Sequence, residues 1–217
     1  FANNSQVAGK LTVNAAEADG TVQLTGHLNA AGNDVELNAG QASIGDGSTA
    51  TSITADNVTA DGKLTFNETT VNATNIQAAE EINFQKAITT RKSLALKAPA
   101  VNVGDGTAAT SISASGVENP QIAVTGLSES ALASLTFNKA VINIADIAAD
   151  GSINFMNTIK AGSDGTGSLN LTAPNVNFGA ADATVNITAN TITGNADLSI
   201  SNATLSVANM EAPTDRK

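Results

Sequence analysis

The amino-acid sequence predicts an all-β fold, a right-handed parallel β-helix of about ten rungs wound around one aliphatic interior. Three observations predict it. Short apolar–polar–apolar triplets recur along the whole chain. Longer segments repeat in a fixed order at uneven spacing. The apolar residues are small or branched, with 6 Phe and neither Trp nor Tyr.

The triplets run in order from Leu11-Thr12-Val13, Val22-Gln23-Leu24 and Val35-Glu36-Leu37 to Leu64-Thr65-Phe66 and Ile82-Asn83-Phe84. They continue through Leu94-Ala95-Leu96, Ile122-Ala123-Val124, Leu135-Thr136-Phe137 and Ile153-Asn154-Phe155. The last are Leu169-Asn170-Leu171, Val185-Asn186-Ile187 and Leu198-Ser199-Ile200. A period of two marks a strand with one buried face, and each run is too short for a helix. Gly, Asp and Asn fill the gaps, as turns require.

The larger repeat has two modules. VELNAGQASIGDG (Val35–Gly47) returns as LALKAPAVNVGDG (Leu94–Gly106) and as LNLTAPNVNFG (Leu169–Gly179). The second module, Leu64–Ile88, returns as Leu135–Ile159. One rung takes on the order of 20 residues, so a large copy is about three rungs. The excess length between copies sits in 116–133, which has no full counterpart and predicts an outward loop or a short helix. A solenoid tolerates such uneven growth because each coil touches only its neighbours. Propeller blades need longer antiparallel strands and leucine-rich repeats a fixed consensus, and neither is present. Asp-Gly pairs at 19–20, 46–47, 61–62, 105–106 and 150–151 keep a hairpin-rich sandwich as the minor alternative. Residues 1–210 are expected to form a single β-helix segment and 211–217 a polar tail.

Formal net charge is −10, which disfavours nucleic acid and anionic lipid as partners. Only 14% of residues are charged, so solubility rests on Asn, Thr, Ser and Gly. Cysteine is absent, which excludes disulfides and thiolate metal sites. No stretch has the length and apolarity of a membrane span. Phe1-Ala2-Asn3-Asn4 reads as mid-protein sequence, so the chain is expected to be part of a longer one, flanked by further rungs.

The runs SLALKAPAVNVGDG (Ser93–Gly106) and GKLTFNETTVNATNI (Gly62–Ile76) resemble the β-helical shafts of filamentous-haemagglutinin-like exoproteins and autotransporter passengers. The resemblance runs from about Lys10 to about Asn209 and is one of style. It implies a rod at the surface of a Gram-negative bacterium or secreted from it, adhesive or displaying adhesive parts, with a virulence role. A receptor on a host or bacterial surface, protein or glycan, is the partner it implies. The Asn-Pro-Asn motifs of the two-partner secretion domain are missing; the single Asn-Pro, Asn119-Pro120, precedes Gln121. A carbohydrate-active β-helix and a calcium-dependent surface-layer protein are the competing functions.

Candidate chemistry is sparse, and the expectation is no catalytic residue, no cofactor and no metal site. His27 is the only histidine and reads as a surface or turn residue. Gly45-Asp46-Gly47, Gly104-Asp105-Gly106 and Ser163-Asp164-Gly165 invite calcium, but lack the tandem calcium-repeat pattern and read as turns. Glu80-Glu81 are adjacent acids, which in a strand point to opposite faces. Lys86, Arg91, Lys92 and Lys97 are the one basic concentration, a candidate contact for an acidic partner or a solvated face. Sequons begin at Asn3, Asn57, Asn67, Asn72, Asn170, Asn186 and Asn202. Asn14, Asn38, Asn67 and Asn138 follow strand triplets and are expected to join side-chain ladders between rungs. With no Trp or Tyr there is no platform for sugars, and an enzyme is not expected.

Overall fold

The computed structural model describes residues 4–15, 17, 19–179, 185–195 and 197–212. Its strands form a 25-stranded sheet in which every strand-to-strand ladder is parallel. Each strand pairs with the one a full turn later, so the chain is a solenoid of about nine turns, with no helix among the described residues. The coil has three sides. Asn4–Gln6, His27–Ala30, Thr51–Ala55, Thr69–Asn72, Ala87–Thr90 and Thr110–Ala114 begin the first. Leu11–Asn14, Val35–Asn38, Asn57–Ala60, Asn75–Ala78, Leu94–Lys97, Gln121–Thr125 and Asp146–Ala149 run down the second. Thr21–Leu24, Gln41–Ile44, Lys63–Asn67, Glu81–Gln85 and Ala100–Val103 begin the third.

Longer strands bend around corners. Ser134–Asn143 and Ser152–Ala161 each serve the third side of one coil and then the first side of the next. Val185–Gly194 and Ala203–Glu211 each pass from the first side to the second. The last of these leaves a tenth turn with two of its sides built. Where no loop intervenes, equivalent residues lie 18 or 19 apart, as for Asn57 and Asn75 and for Asn83 and Asn102.

The period-two triplets do what their pattern demands. Their apolar members face one continuous interior and their polar members face out. On the third side two interior columns run down the axis. One reads Ala42, Leu64, Ile82, Val101, Leu135, Ile153 and Val176. The other reads Ile44, Phe66, Phe84, Val103, Phe137, Phe155 and Phe178. Five phenylalanines therefore share one column, all fully buried. Phe66 stacks on Phe84 at 5.3 Å between ring centroids, and Phe155 lies 5.4 Å from Phe137 and 5.1 Å from Phe178. Parallel stacking at the strand spacing offsets the rings, the arrangement their quadrupoles favour. Val103 splits the column into a pair and a trio.

The corner between the third and first sides has a conformation of its own. Nine successive coils turn it with a residue at positive φ: Gly26, Gly45, Glu68, Lys86, Gly104, Lys139, Asn157, Gly179 and Asn202. Only glycine adopts this region freely, and other L-residues lose roughly 1–2 kcal/mol there. The non-glycine members hold it because the corner main chain is bonded coil to coil, Glu68 N–H donating to the Gln85 carbonyl at 3.2 Å. At Gly45 and Gly104 glycine is required twice over. A Cβ there would sit 1.9 Å from the Asn67 carbonyl oxygen and 2.1 Å from that of Asn138. These glycines open the bulges 45–50 and 104–109, three coils apart, and Gly179 stands at the same corner three coils on. The large sequence repeat is thus a three-coil repeat of this corner.

Two substitutions test the interior by urea unfolding. Phe155→Ala removes a ring stacked on both sides and is expected to cost about 3–5 kcal/mol. Thr90 is fully buried between Val71 and Ala114, and its hydroxyl has no hydrogen-bond partner. Thr90→Val keeps the shape and removes the orphan, so it is expected to stabilise by about 1–2 kcal/mol.

Candidate functional site

Polar side chains on the outside satisfy one another along the axis. Asn38 donates to the Asn14 carbonyl oxygen at 2.7 Å, and Asn157 to that of Asn138 at 2.6 Å. Asn57 donates to Asp34 at 2.6 Å and Asn75 to Asn57 at 2.9 Å. Asn102 donates to Asn83 at 3.0 Å, Asn177 to Asn154 at 2.8 Å and Asn170 to Asp146 at 2.7 Å. An amide carries donors and an acceptor, so a strand-spaced column of Asn closes its own hydrogen bonds. The expected ladder holds at Asn14, Asn38 and Asn138. Asn67 differs: its side-chain oxygen is buried without a partner, against the bulge that follows Gly45.

The sequence neighbours singled out for charge do not meet in space. Lys86 stands at the third-to-first corner, Arg91 and Lys92 at the first-to-second corner, and Lys97 closes the second-side strand. One coil thus points these cations in three directions and builds no basic patch. Lys86 donates its ammonium to the Gly47 carbonyl, and Lys139, at the same corner lower down, donates to the Thr107 carbonyl at 2.7 Å. Each lysine therefore clasps a bulge. The signal for this was available as a lysine following Gln85 or Asn138 at a corner, but the pairing spans 39 and 32 residues and needs the coil register.

The Asp-Gly turns are closed from within. Asp46 accepts from the Ser48 and Thr49 amides at 2.8 and 3.0 Å. Asp105 accepts from the Thr107 amide at 2.8 Å and its hydroxyl at 2.7 Å, and Asp164 repeats this with Thr166 at 3.0 and 2.7 Å. These bonds favour the carboxylate. The Ser48 amide holds Asp46, and the Thr107 and Thr166 hydroxyls hold Asp105 and Asp164, below the ordinary Asp range. Among the described residues no group of three or more His, Asp or Glu side chains is placed to hold a metal ion.

Glu81 is held below the ordinary Glu range first by the Asn83 amide and then by Lys63, 3.2 Å away. Glu80 lies exposed in the turn before that strand. His27 is exposed at the start of a first-side strand, its Nδ1 2.7 Å from the Ser52 hydroxyl. Among the described residues no carboxylate forms an ion pair with it. Of the sequons, Asn57 and Asn170 spend their amides on Asp34 and Asp146, and Asn67 lies against a bulge. Asn3 lies outside the described residues.

Two features modulate the smooth shaft. The first is a shallow groove of about 460 Å³ over the second side, flanked by Asn57, Asn75, Gln77 and Lys97 and floored by Ala95. Its one carboxylate, Asp34, accepts from the Asn57 amide. The second lies in 116–133. Gln121–Thr125 in this segment is a regular shaft strand, paired on both edges. The excursion is the loop 126–133, a tight turn with a Ser128–Ala131 bridge. Asp150 closes its neck, accepting from the Gly126 amide and the Ala133 amide, each at 2.7 Å. The loop holds Leu132 out, 59% exposed. No helix among the described residues is long and apolar enough to cross a membrane.

Asp150→Ala removes both neck bonds and is expected to make 126–133 the first site of limited proteolysis, with the shaft intact by circular dichroism. The bulge aspartates set an acid limit. Their folded-state pKa values lie below the unfolded value of about 3.9, so their contribution is complete above that pH. It is lost as pH falls through the lower folded-state values. Amide hydrogen exchange at Ser48, Thr49 and Thr107 is expected to show unchanged protection from neutral pH to about 4 and loss below it.

The chain matches no protein-family model, no curated protein and no solved structure.

Proposed function

We propose that this chain is a stiff, non-enzymatic rod of a bacterial surface or secreted exoprotein, which mediates or displays adhesion to a receptor on a host or bacterial surface. The observation that carries the reading is the single uninterrupted interior, three-sided over about nine turns. Stacked parallel strands give a rod about 45 Å long at the ordinary strand spacing. Bending it would break main-chain bonds on a whole side at once. Such a body suits distance and stiffness more than chemistry. The outer residues support this, since amide ladders and turn bonds consume most of the groups an active site would need free.

Export is supported by composition. The chain lacks Cys and carries a weakly charged, Asn- and Thr-rich surface. A solenoid also folds coil upon coil from a nucleus, which suits a chain that emerges through a membrane progressively. Adhesion rests on the resemblance of Ser93–Gly106 and Gly62–Ile76 to exoprotein shafts.

Small-angle scattering and a binding assay test the two halves separately. The scattering profile is expected to be that of an elongated particle; a near-spherical profile overturns the shaft. Beads coated with the chain are expected to adhere to cultured cells or glycan-coated surfaces above beads coated with albumin. Cleavage of any polysaccharide in a panel would overturn the non-enzymatic reading.

A further inference from the structure

The first side of the coil is free of acid. Its opening strands, Asn4–Gln6, His27–Ala30, Thr51–Ala55, Thr69–Asn72, Ala87–Thr90 and Thr110–Ala114, contain neither Asp nor Glu, in a chain that has 20 of them. Across this side lies a hollow of about 270 Å³. Its polar lining is His27, Ser52, Thr54, Thr70, Asn72 and Arg91. The chain's one histidine and the one arginine among the described residues therefore share a concavity.

Coil register brings them together. His27 pairs with Ser52 and Ser52 with Thr70, so these three stand in one outward column. Thr54 pairs with Asn72 in the neighbouring column, and Arg91 follows directly on Thr90, the partner of Val71. Elsewhere the outer amides bond to one another along the axis. Here the side chains of Thr54, Thr70, Asn72 and Arg91 have no hydrogen bond or ion pair with any described residue. His27 shares Nδ1 with the Ser52 hydroxyl at 2.7 Å and keeps Nε2 for a ligand.

These groups define what fits. A guanidinium grips a carboxylate or a phosphate through two parallel N–H bonds. Hydroxyls and an amide donate to and accept from alcohol groups. The His27 and Arg91 strands stand three coils apart, about 14 Å at the ordinary strand spacing, so the hollow is long enough for more than a bare ion. A chain of net charge −10 repels a polyanion, whereas one oxyanion on a small polar body meets only the acid-free side. Without Trp or Tyr to stack on a ring, the charge has to anchor the ligand. We propose that this hollow binds a sugar unit bearing a single oxyanion, a carboxylate or a phosphate ester. Arg91 holds the oxyanion, Ser52, Thr54, Thr70 and Asn72 take the hydroxyls, and His27 Nε2 closes the far end. The site needs only the register of the first side, so it stands or falls apart from the adhesive reading.

Nuclear magnetic resonance titration of the chain with glucuronate, glucose 6-phosphate, glucose and inorganic phosphate tests this. At least one of the two anionic sugars is expected to shift the amides of Ser52, Thr70 and Arg91 saturably, and the tighter of them identifies the oxyanion. Glucose is expected to leave those amides in place, and inorganic phosphate to bind more weakly than the tighter sugar. Arg91→Gln is expected to weaken binding about tenfold or more and His27→Gln about threefold, with unchanged circular dichroism. Lys97→Gln, on the second side, is expected to bind like the parent chain. Absence of a saturable shift with both anionic sugars overturns the proposal. So does glucose or inorganic phosphate binding as tightly as the better sugar. Affinity that survives Arg91→Gln or His27→Gln, or that falls as far in Lys97→Gln, overturns it as well.

Discussion

The parallel hydrogen-bond ladder between successive coils is the constraint on which the rest of the molecule depends. It places each residue one strand spacing from its counterpart in the coils above and below. A position therefore has to suit its own kind. Phenylalanine tolerates that condition by offset stacking, and five of the six occupy one column. Asparagine tolerates it by donating its amide to the asparagine one coil back, as Asn102 does to Asn83 and Asn177 to Asn154. Like charges do not tolerate it, which fits a chain in which only 14% of residues are charged. Lys63 in its outer column stands instead beside Glu81, 3.2 Å away.

The same ladder explains how much could be read before any coordinates. Alternation of apolar and polar residues is a local property, so the interior members of nearly every triplet were visible in one dimension. The three-coil repeat was visible too, because Gly45 and Gly104 need glycine for both φ and clearance. The corner between them was not. Glu68, Lys86 and Lys139 carry positive φ without being glycine, and nothing in their identity announces it. Their conformation is imposed by coils above and below, a tertiary demand that overrides local preference. The separation of the cations was hidden for a related reason. Lys86, Arg91 and Lys97 are close in sequence, yet a three-sided coil turns about 120° between them, so chain distance ceases to measure spatial distance. The excursion was legible as surplus length, whereas its neck was not, because Asp150 lies a coil away, 24 residues from Gly126.

Stability in such a body is close to one-dimensional. Each coil gains from its two neighbours and from nothing more distant. A bulge at a corner lengthens one coil without disturbing the stacking above or below it, so the shaft can carry insertions at 45–50, 104–109 and 126–133 with its columns unbroken. What an insertion does cost is the entropy of a loose loop, and each described bulge answers that cost locally. Asp46 and Asp105 fold their bulges by side-chain bonds, Lys86 and Lys139 tie them to lower coils, and Asp150 pins the third at both ends.

Division of labour follows from this. A surface whose side chains are spent on one another along the axis offers partners a uniform texture, and uniform texture recognises poorly. Specific recognition needs a place where the column rule is broken. The shaft breaks it at few places: the corner bulges, the alanine-floored groove beside Lys97, and the loop that holds Leu132 out. All of them are mounted on a continuously paired scaffold, so any group they present is held by the coils above and below it. The same regularity that suits the proposed role of a rod makes those few irregular places the informative ones.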